Sequence, residues 1–156
     1  MKRNSSFAFA ALLVFLLILI WGNSLLPSRR SYAVSEWVSR LLTRLHLDGA
    51  VNWLTLFGKS QSSRVRKAAH LAEFAMLGVA LTAFSHRWKI AGWTRALIIA
   101  FSGVLCALLD ETLQLVNART SSVKDIWIDL LGFFAGVMFS LLVSRFLGLR
   151  KRPGQE

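Results

Sequence analysis

The fold is decided by residues 96–144, which read ALIIAFSGVLCALLDETLQLVNARTSSVKDIWIDLLGFFAGVMFSLLVS. A short polar connection joins two strongly apolar segments here. Acidic residues lie near the end of the first segment and near the beginning of the second. These acids are Asp110, Glu111, Asp125 and Asp129. A charge within a membrane-spanning helix costs at least about 2.5 kcal/mol unless it is paired, hydrated or facing protein. The position of these acidic residues therefore indicates a functional site.

The composition of the whole chain is that of a membrane protein. Its 156 residues are 54% hydrophobic, and the apolar residues occur in long blocks. The net charge of +11 comes from basic residues that flank these blocks, a pattern typical of membrane anchoring and contact with anionic lipids. No basic stripe with interleaved aromatics occurs outside the blocks, so we expect no nucleic-acid partner. Cys106 is the only cysteine, which excludes an intrachain disulfide.

Hydropathy predicts an all-α membrane protein with four transmembrane helices in one domain, residues 1–156. The predicted spans are about 7–26, 66–85, 91–116 and 123–144. The first apolar block resembles a signal peptide, but no small-x-small cleavage site follows it. We therefore expect an uncleaved first span that ends at Pro27.

The long connection between the first and second spans contains one amphipathic segment. Apolar residues recur there at helical spacing, with polar residues on the opposite side. The apolar set is Val34, Trp37, Val38, Leu41, Leu42 and Leu45. The pattern predicts a helix over about 32–46 that lies in the headgroup region.

Four crossings place both termini and the 86–95 connection on the same side of the membrane. Nine of the 19 basic residues lie on that side and ten on the other, so the count alone shows no bias. The nine, however, are concentrated in short tails and one short loop beside the spans, where the positive-inside rule applies best. We therefore predict that both termini are cytoplasmic.

Alternating span directions bring seven polar residues to the same membrane face. They are His70, Glu73, Asp110, Glu111, Gln114, Asp125 and Asp129. Asp125, Asp129, Gly132 and Gly136 form one helical stripe, and its glycines allow a neighbouring helix to come close. The carboxylates of the fourth span are therefore expected to face protein.

Each of these residues also has a structural interpretation: His70 as a packed histidine, and Glu73 in an ion pair with His70 or Lys67. The meeting of these polar residues from three helices at one membrane face favours a functional polar pocket instead. The catalytic candidates, for acid–base chemistry, are His70, Glu73, Asp110, Glu111 and Asp125. The binding candidates are Lys67, Gln114, Arg119 and Asp129, with Arg119 suited to a phosphate or carboxylate.

No motif in the sequence indicates a cofactor. His, Glu and Asp on facing helices can bind a divalent metal, but the HExxH motif and paired ExxH motifs of helical metal sites are absent, so we predict no metal site. The GxSxG, P-loop and Rossmann fingerprints are absent too. These absences leave open whether the protein is an enzyme.

Two blocks of sequence resemble the VanZ-like family of small bacterial integral membrane proteins. The first is residues 65–74, reading VRKAAHLAEF, followed by Leu77-Gly78; the second runs from Asp110-Glu111 through Gln114, Arg119, Asp125 and Asp129 to Gly132 and Gly136. Asn23-Ser24 is similar to the end of the family's first span. Phe74 stands where tyrosine is usual, and Asp129 where asparagine is common.

This resemblance implies four spans, a multi-pass protein of the bacterial plasma membrane and, for the founding member, low-level teicoplanin resistance. It supplies no reaction. The leading hypothesis is a cell-envelope protein whose outward-facing pocket engages a lipid-linked or peptidoglycan-related molecule, or a glycopeptide antibiotic. The alternatives are a membrane-embedded enzyme acting on an envelope lipid and a small transporter or flippase component. Membrane lipids are the expected surroundings, and the oligomeric state stays open.

Overall fold

Helices make up nearly all of the chain in this computed structural model, which describes residues 2–47, 49–56, 58–116 and 123–147. No strand occurs within those ranges. The helices are α1 (Lys2–Leu25), α2 (Ser28–Arg44), α3 (Gly49–Asn52), α4 (Gln61–Ser85), α5 (Gly92–Val116) and α6 (Val123–Phe146), with a 3₁₀ turn at Trp53–Leu56.

Four of these helices, α1, α4, α5 and α6, are long and apolar enough to cross a membrane. Each has 24 or 25 residues, about 37 Å of helix against a hydrocarbon core of about 30 Å. The prediction of an all-α protein with four helices of membrane-spanning length is thereby confirmed. Helix α4 begins five residues before its predicted start, because the Ser60 hydroxyl accepts a hydrogen bond from the Ser63 backbone N–H and caps it.

Helix α2 begins four residues before the predicted amphipathic segment. It packs on α4 with Ser35 and Ser39 buried, while Val34 and Trp37 on its apolar face are exposed. It ends at Arg44, and His46 just beyond has a positive φ of 54°. An exposed apolar face suits lipid contact. That α2 lies in the headgroup region stays a prediction.

Helix α4 is the centre of the bundle, because it packs against α1, α2, α5 and α6. The buried apolar core is Leu16, Ile20, Phe74, Leu77, Ala80, Ile99, Ala107 and Phe133. Large apolar side chains cover the outside, and Phe101, for example, is 69% exposed. Such a surface is expected where hydrocarbon, not water, surrounds the protein.

Helices α4 and α6 meet along glycines, as the stripe on the fourth span predicted. A Cβ on Gly132 would lie 2.3 Å from the Leu71 carbonyl oxygen, and one on Gly136 would lie 2.0 Å from the Ala75 carbonyl oxygen. No carbon atom fits at such distances, so the two backbones pack directly on each other. This contact fixes which side chains face each other further along the interface.

Candidate functional site

The polar residues meet at one end of the bundle, where α1 and α5 end and α4 and α6 begin. We call this group the polar cluster, and it comprises Asn23, Ser24, Lys67, His70, Glu73, Asp110, Glu111, Gln114, Asp125 and Asp129. Between α4 and α6, Lys67 forms an ion pair with Asp125, and both side chains are largely buried. One helical turn further in, His70 faces Asp129.

His70 lies between two carboxylates from different helices. Its Nδ1 atom is 3.6 Å from Asp110 Oδ2 and 3.8 Å from Asp129 Oδ1. Both separations are longer than a hydrogen bond, so these contacts are electrostatic. An imidazole flanked by carboxylates can exchange a proton, and all three groups can also donate electron pairs to a metal ion.

Asp110 is fully buried, and hydrogen bonds hold both of its oxygens. The Ser24 hydroxyl donates to Oδ1 at 2.6 Å, and the Gln114 amide donates to Oδ2 at 2.8 Å. A buried carboxylate needs such donors to offset its lost hydration. The orientation of the Asp110 carboxylate toward His70 is therefore fixed by a hydrogen bond to each of its oxygens.

Three further carboxylates of the polar cluster are buried or nearly so. Glu73 accepts a hydrogen bond from the Asn23 amide at 2.7 Å, and Glu111 is 4% exposed on α5. Asp129 is 1% exposed, and its Oδ2 atom has no hydrogen-bond partner among the residues that the structure describes. It also lies within electrostatic reach of Glu73, Asp110, Glu111 and Asp125.

Two cavities adjoin the polar cluster. The smaller has a volume of about 10 Å³ and room for about one water molecule. It is lined by Arg66, Lys67, His70, Gln114, Asp125, Ile128 and Asp129. The larger is a groove of about 370 Å³ formed by α1, α2, α3 and α4. His70 and Arg66 line both.

The groove has a polar end and an apolar wall. At the polar end are Asn23, Arg66 and His70, and the Arg66 guanidinium lies over the Tyr32 ring with its carbon 5.1 Å from the ring centre. The wall is lined by Leu26, Val34, Val38, Leu42, Val51 and Val65. This is the chemistry of a site for an amphiphilic molecule.

The structure brings candidate residues of three helices together at one end of the bundle. His70 contacts Asp110 and Asp129, Lys67 contacts Asp125, and Gln114 contacts Asp110. Arg119 lies outside the described residues. The interpretation of Glu73 as the ion-pair partner of His70 or Lys67 is wrong, because α1 supplies its hydrogen bond through Asn23. The functional roles of all these residues stay predictions.

Sequence reasoning missed Asn23 and Ser24 as members of the polar cluster. Neither is among the candidate site residues predicted from the sequence, yet Ser24 is fully buried and donates a hydrogen bond to Asp110. The available signal was a pair of adjacent polar residues at the end of an otherwise uniform apolar helix. Arg66, which is not among the predicted site residues either, lines both cavities.

Comparison with known proteins shows the family of the chain. A family model described as VanZ/LLP1 matches residues 9–144, which include every residue of the polar cluster. The chain belongs to the VanZ/LLP1 family. The resemblance predicted from the two sequence blocks is thereby confirmed. No curated protein and no solved structure matches this VanZ/LLP1 chain.

Proposed function

We propose that this VanZ/LLP1 protein is a cell-envelope membrane protein that binds an amphiphilic, lipid-linked envelope molecule in the groove. The observation that carries the proposal is that His70 lines both the groove and the small cavity of the polar cluster. A molecule in the groove would therefore touch His70, which in turn faces Asp110 and Asp129.

The groove favours a ligand with an anionic head and a hydrocarbon tail. Arg66 at the polar end offers a planar set of N–H donors that suits a phosphate or carboxylate. The valines and leucines of the wall suit an acyl or prenyl chain. The volume of about 370 Å³ lies near the lower end of small-molecule sites, so the groove holds a head group and the first part of a chain.

The predicted topology gives the side of the membrane on which the polar cluster and the groove lie. With both termini in the cytoplasm, the polar cluster and the groove face outward, toward the site of cell-wall assembly. A protein that binds a lipid-linked wall precursor there would alter the access of a glycopeptide antibiotic to its target. Low-level resistance to a teicoplanin-type antibiotic is the phenotype that this proposal predicts.

The first test measures antibiotic susceptibility in a bacterial host at equal membrane abundance of each variant. We expect the wild type to raise the inhibitory concentration of teicoplanin, and Asp110→Asn, Glu111→Gln and His70→Ala to abolish the rise. Arg66→Gln should also reduce it, whereas the control Arg87→Gln, whose guanidinium lies over Phe9 outside the groove, should not. Unchanged resistance in all cluster variants would remove the polar cluster from the function.

The second test asks where a lipid sits. In nanodiscs, a photoreactive polyprenyl phosphate should crosslink to residues of α2 and α4 that line the groove. Filling the groove with Val38→Trp should suppress this crosslink, and the control Val104→Trp, an exposed position on α5, should leave it intact. Equal labelling of both variants would contradict binding in the groove.

Catalysis on the same lipid is the second candidate function, and one observation favours it. His70 lies between Asp110 and Asp129 and borders the groove, which is the arrangement of an acid–base group beside a bound substrate. The test is product formation from polyprenyl phosphates by the purified protein in liposomes. Turnover that His70→Ala abolishes supports an enzyme, and no product from any such lipid argues against one.

A further inference from the structure

We infer that His70, Asp110 and Asp129 form a binding site for one divalent metal ion, with Zn²⁺ as the best-matched ion. This inference goes beyond binding in the groove and does not depend on the identity of the lipid. Each of the three residues comes from a different helix, α4, α5 and α6, and each offers one ligand atom.

The spacing of the three ligand atoms is the first argument. All of them lie within 4.8 Å of one another. The His70 Nδ1 atom is 3.6 Å from Asp110 Oδ2 and 3.8 Å from Asp129 Oδ1. Ligands bound at about 2.1 Å to a tetrahedral zinc ion lie about 3.4 Å apart. The observed distances are too long for hydrogen bonds but close to those of groups that share an ion.

The second argument is Asp129 itself. Its carboxylate is buried within the bundle, and its Oδ2 atom has no hydrogen-bond partner in the described part of the chain. Four other carboxylates lie within its electrostatic reach. A buried carboxylate anion with one unbonded oxygen and other carboxylates nearby is strongly unfavourable. A divalent cation between Asp129, Asp110 and His70 would offset this negative charge.

The surroundings of the three ligands also match a metal site. Ser24 donates a hydrogen bond to Asp110 Oδ1 and Gln114 donates one to Oδ2, and carboxylates that bind metal ions are held by such hydrogen bonds. The cavity of about 10 Å³ lined by His70, Gln114 and Asp129 has room for one water molecule as a fourth ligand. Three protein ligands and one open position are typical of zinc sites that carry chemistry.

The donor set decides the choice of ion. One imidazole and two carboxylates suit Zn²⁺ or Mn²⁺, whereas Ca²⁺ and Mg²⁺ prefer sites built from oxygen alone. No sequence motif predicted this site, because its ligands are spread over positions 70, 110 and 129. Only the packing of three helices brings them together.

The experiment measures binding of Zn²⁺ alone to the purified full-length protein in nanodiscs after removal of metals with a chelator. The starting protein carries His46→Gln and His86→Gln, so that His70 is the one histidine left. Calorimetry should show one Zn²⁺ per chain, and Zn²⁺ should raise the thermal midpoint. Mn²⁺ should bind more weakly, following the usual order of affinities.

The variants separate a metal site from general attraction to acidic residues. Asp129→Asn and His70→Gln should each lower the Zn²⁺ affinity at least tenfold, and Ser24→Ala, which loosens Asp110, about tenfold. Glu73→Gln removes a neighbouring buried carboxylate outside the ligand set and should cause a clearly smaller loss. Arg66→Gln should lose binding of the lipid and keep binding of Zn²⁺, which separates this inference from the proposed function.

Two results would overturn the inference. One is the absence of saturable Zn²⁺ binding to the wild type, and the other is an equal loss of affinity in Glu73→Gln and Asp129→Asn. Circular dichroism checks that each variant retains its helices. If His70→Gln fails to fold, Asp129→Asn and Ser24→Ala still decide the outcome.

Discussion

The interface between α4 and α6 has two halves that are built in different ways. In the inner half, Gly132 and Gly136 pack against the carbonyl groups of Leu71 and Ala75, and no side chain intervenes. In the outer half, Lys67 pairs with Asp125 and His70 faces Asp129. The same two helices thus contact each other through charged side chains in the outer half and through backbone atoms in the inner half.

The difference shows how a membrane protein can keep charged groups out of lipid. Close backbone packing is the main attraction available between helices in hydrocarbon, where apolar burial offers little gain. It brings the helices near enough for α4, α5 and α6 to enclose the carboxylates. The inner half therefore holds the two helices together, and the outer half encloses the charged side chains.

The largest expected effect comes from disturbing the inner half with Gly136→Ala. The new methyl group would lie 2.0 Å from the Ala75 carbonyl oxygen, so the helices must move apart. We expect a loss of about 3 kcal/mol in the free energy of unfolding. The measurement is thermal or denaturant unfolding of the purified protein in a mild detergent.

The matched control for this change is Gly22→Ala in α1, where a Cβ would meet nothing within 4 Å. Replacing glycine by alanine in an open helical position stabilises the helix by up to about 1 kcal/mol. Equal destabilisation at both positions would show that the α4–α6 contact is not the special feature of the interface.

Breaking the outer half at Lys67 should have the next largest effect. Lys67→Met leaves Asp125 largely buried without its cation, and we expect a loss of about 2 kcal/mol. The double variant Lys67→Met/Asp125→Leu should recover most of that loss, because it leaves no stranded charge. A double variant less stable than either single one would contradict the ion pair.

Removing one buried hydrogen bond should have a smaller effect. Ser24→Ala takes a donor from Asp110, and we expect a loss of about 1.5 kcal/mol, near the upper limit for hydrogen bonds between membrane helices. The control is Ser102→Ala, whose hydroxyl donates a hydrogen bond to the Ile98 carbonyl of its own helix. If the unfolding curves of Ser24→Ala and Ser102→Ala coincide, Ser24 has no structural role in the polar cluster.

The smallest effect is expected outside this interface, at the exposed pair of Glu36 and Arg40 on α2. Their side chains are 58% and 71% exposed, so water screens the attraction. Glu36→Gln should change the free energy of unfolding by less than about 0.5 kcal/mol. A larger change would mean that this exposed pair stabilises α2 despite its contact with water.

The sequence by itself determined the four long helices, the end of the bundle at which the acids gather and the glycine face of α6. Hydropathy over about 20 residues and spacings of three or four residues are local properties, so they can be read before any packing is known. The alternation of span directions then carried His70, Asp110 and Asp129 to the same end.

Only the tertiary structure decided which groups are partners. Sequence spacing allowed Glu73 to pair with His70 or Lys67, yet Glu73 bonds to Asn23 and Lys67 to Asp125. The physical reason is that partners across helices depend on how each helix is rotated about its axis and how closely two axes approach. The backbone contacts of Gly132 and Gly136 set both for α4 and α6, and no local pattern contains that information.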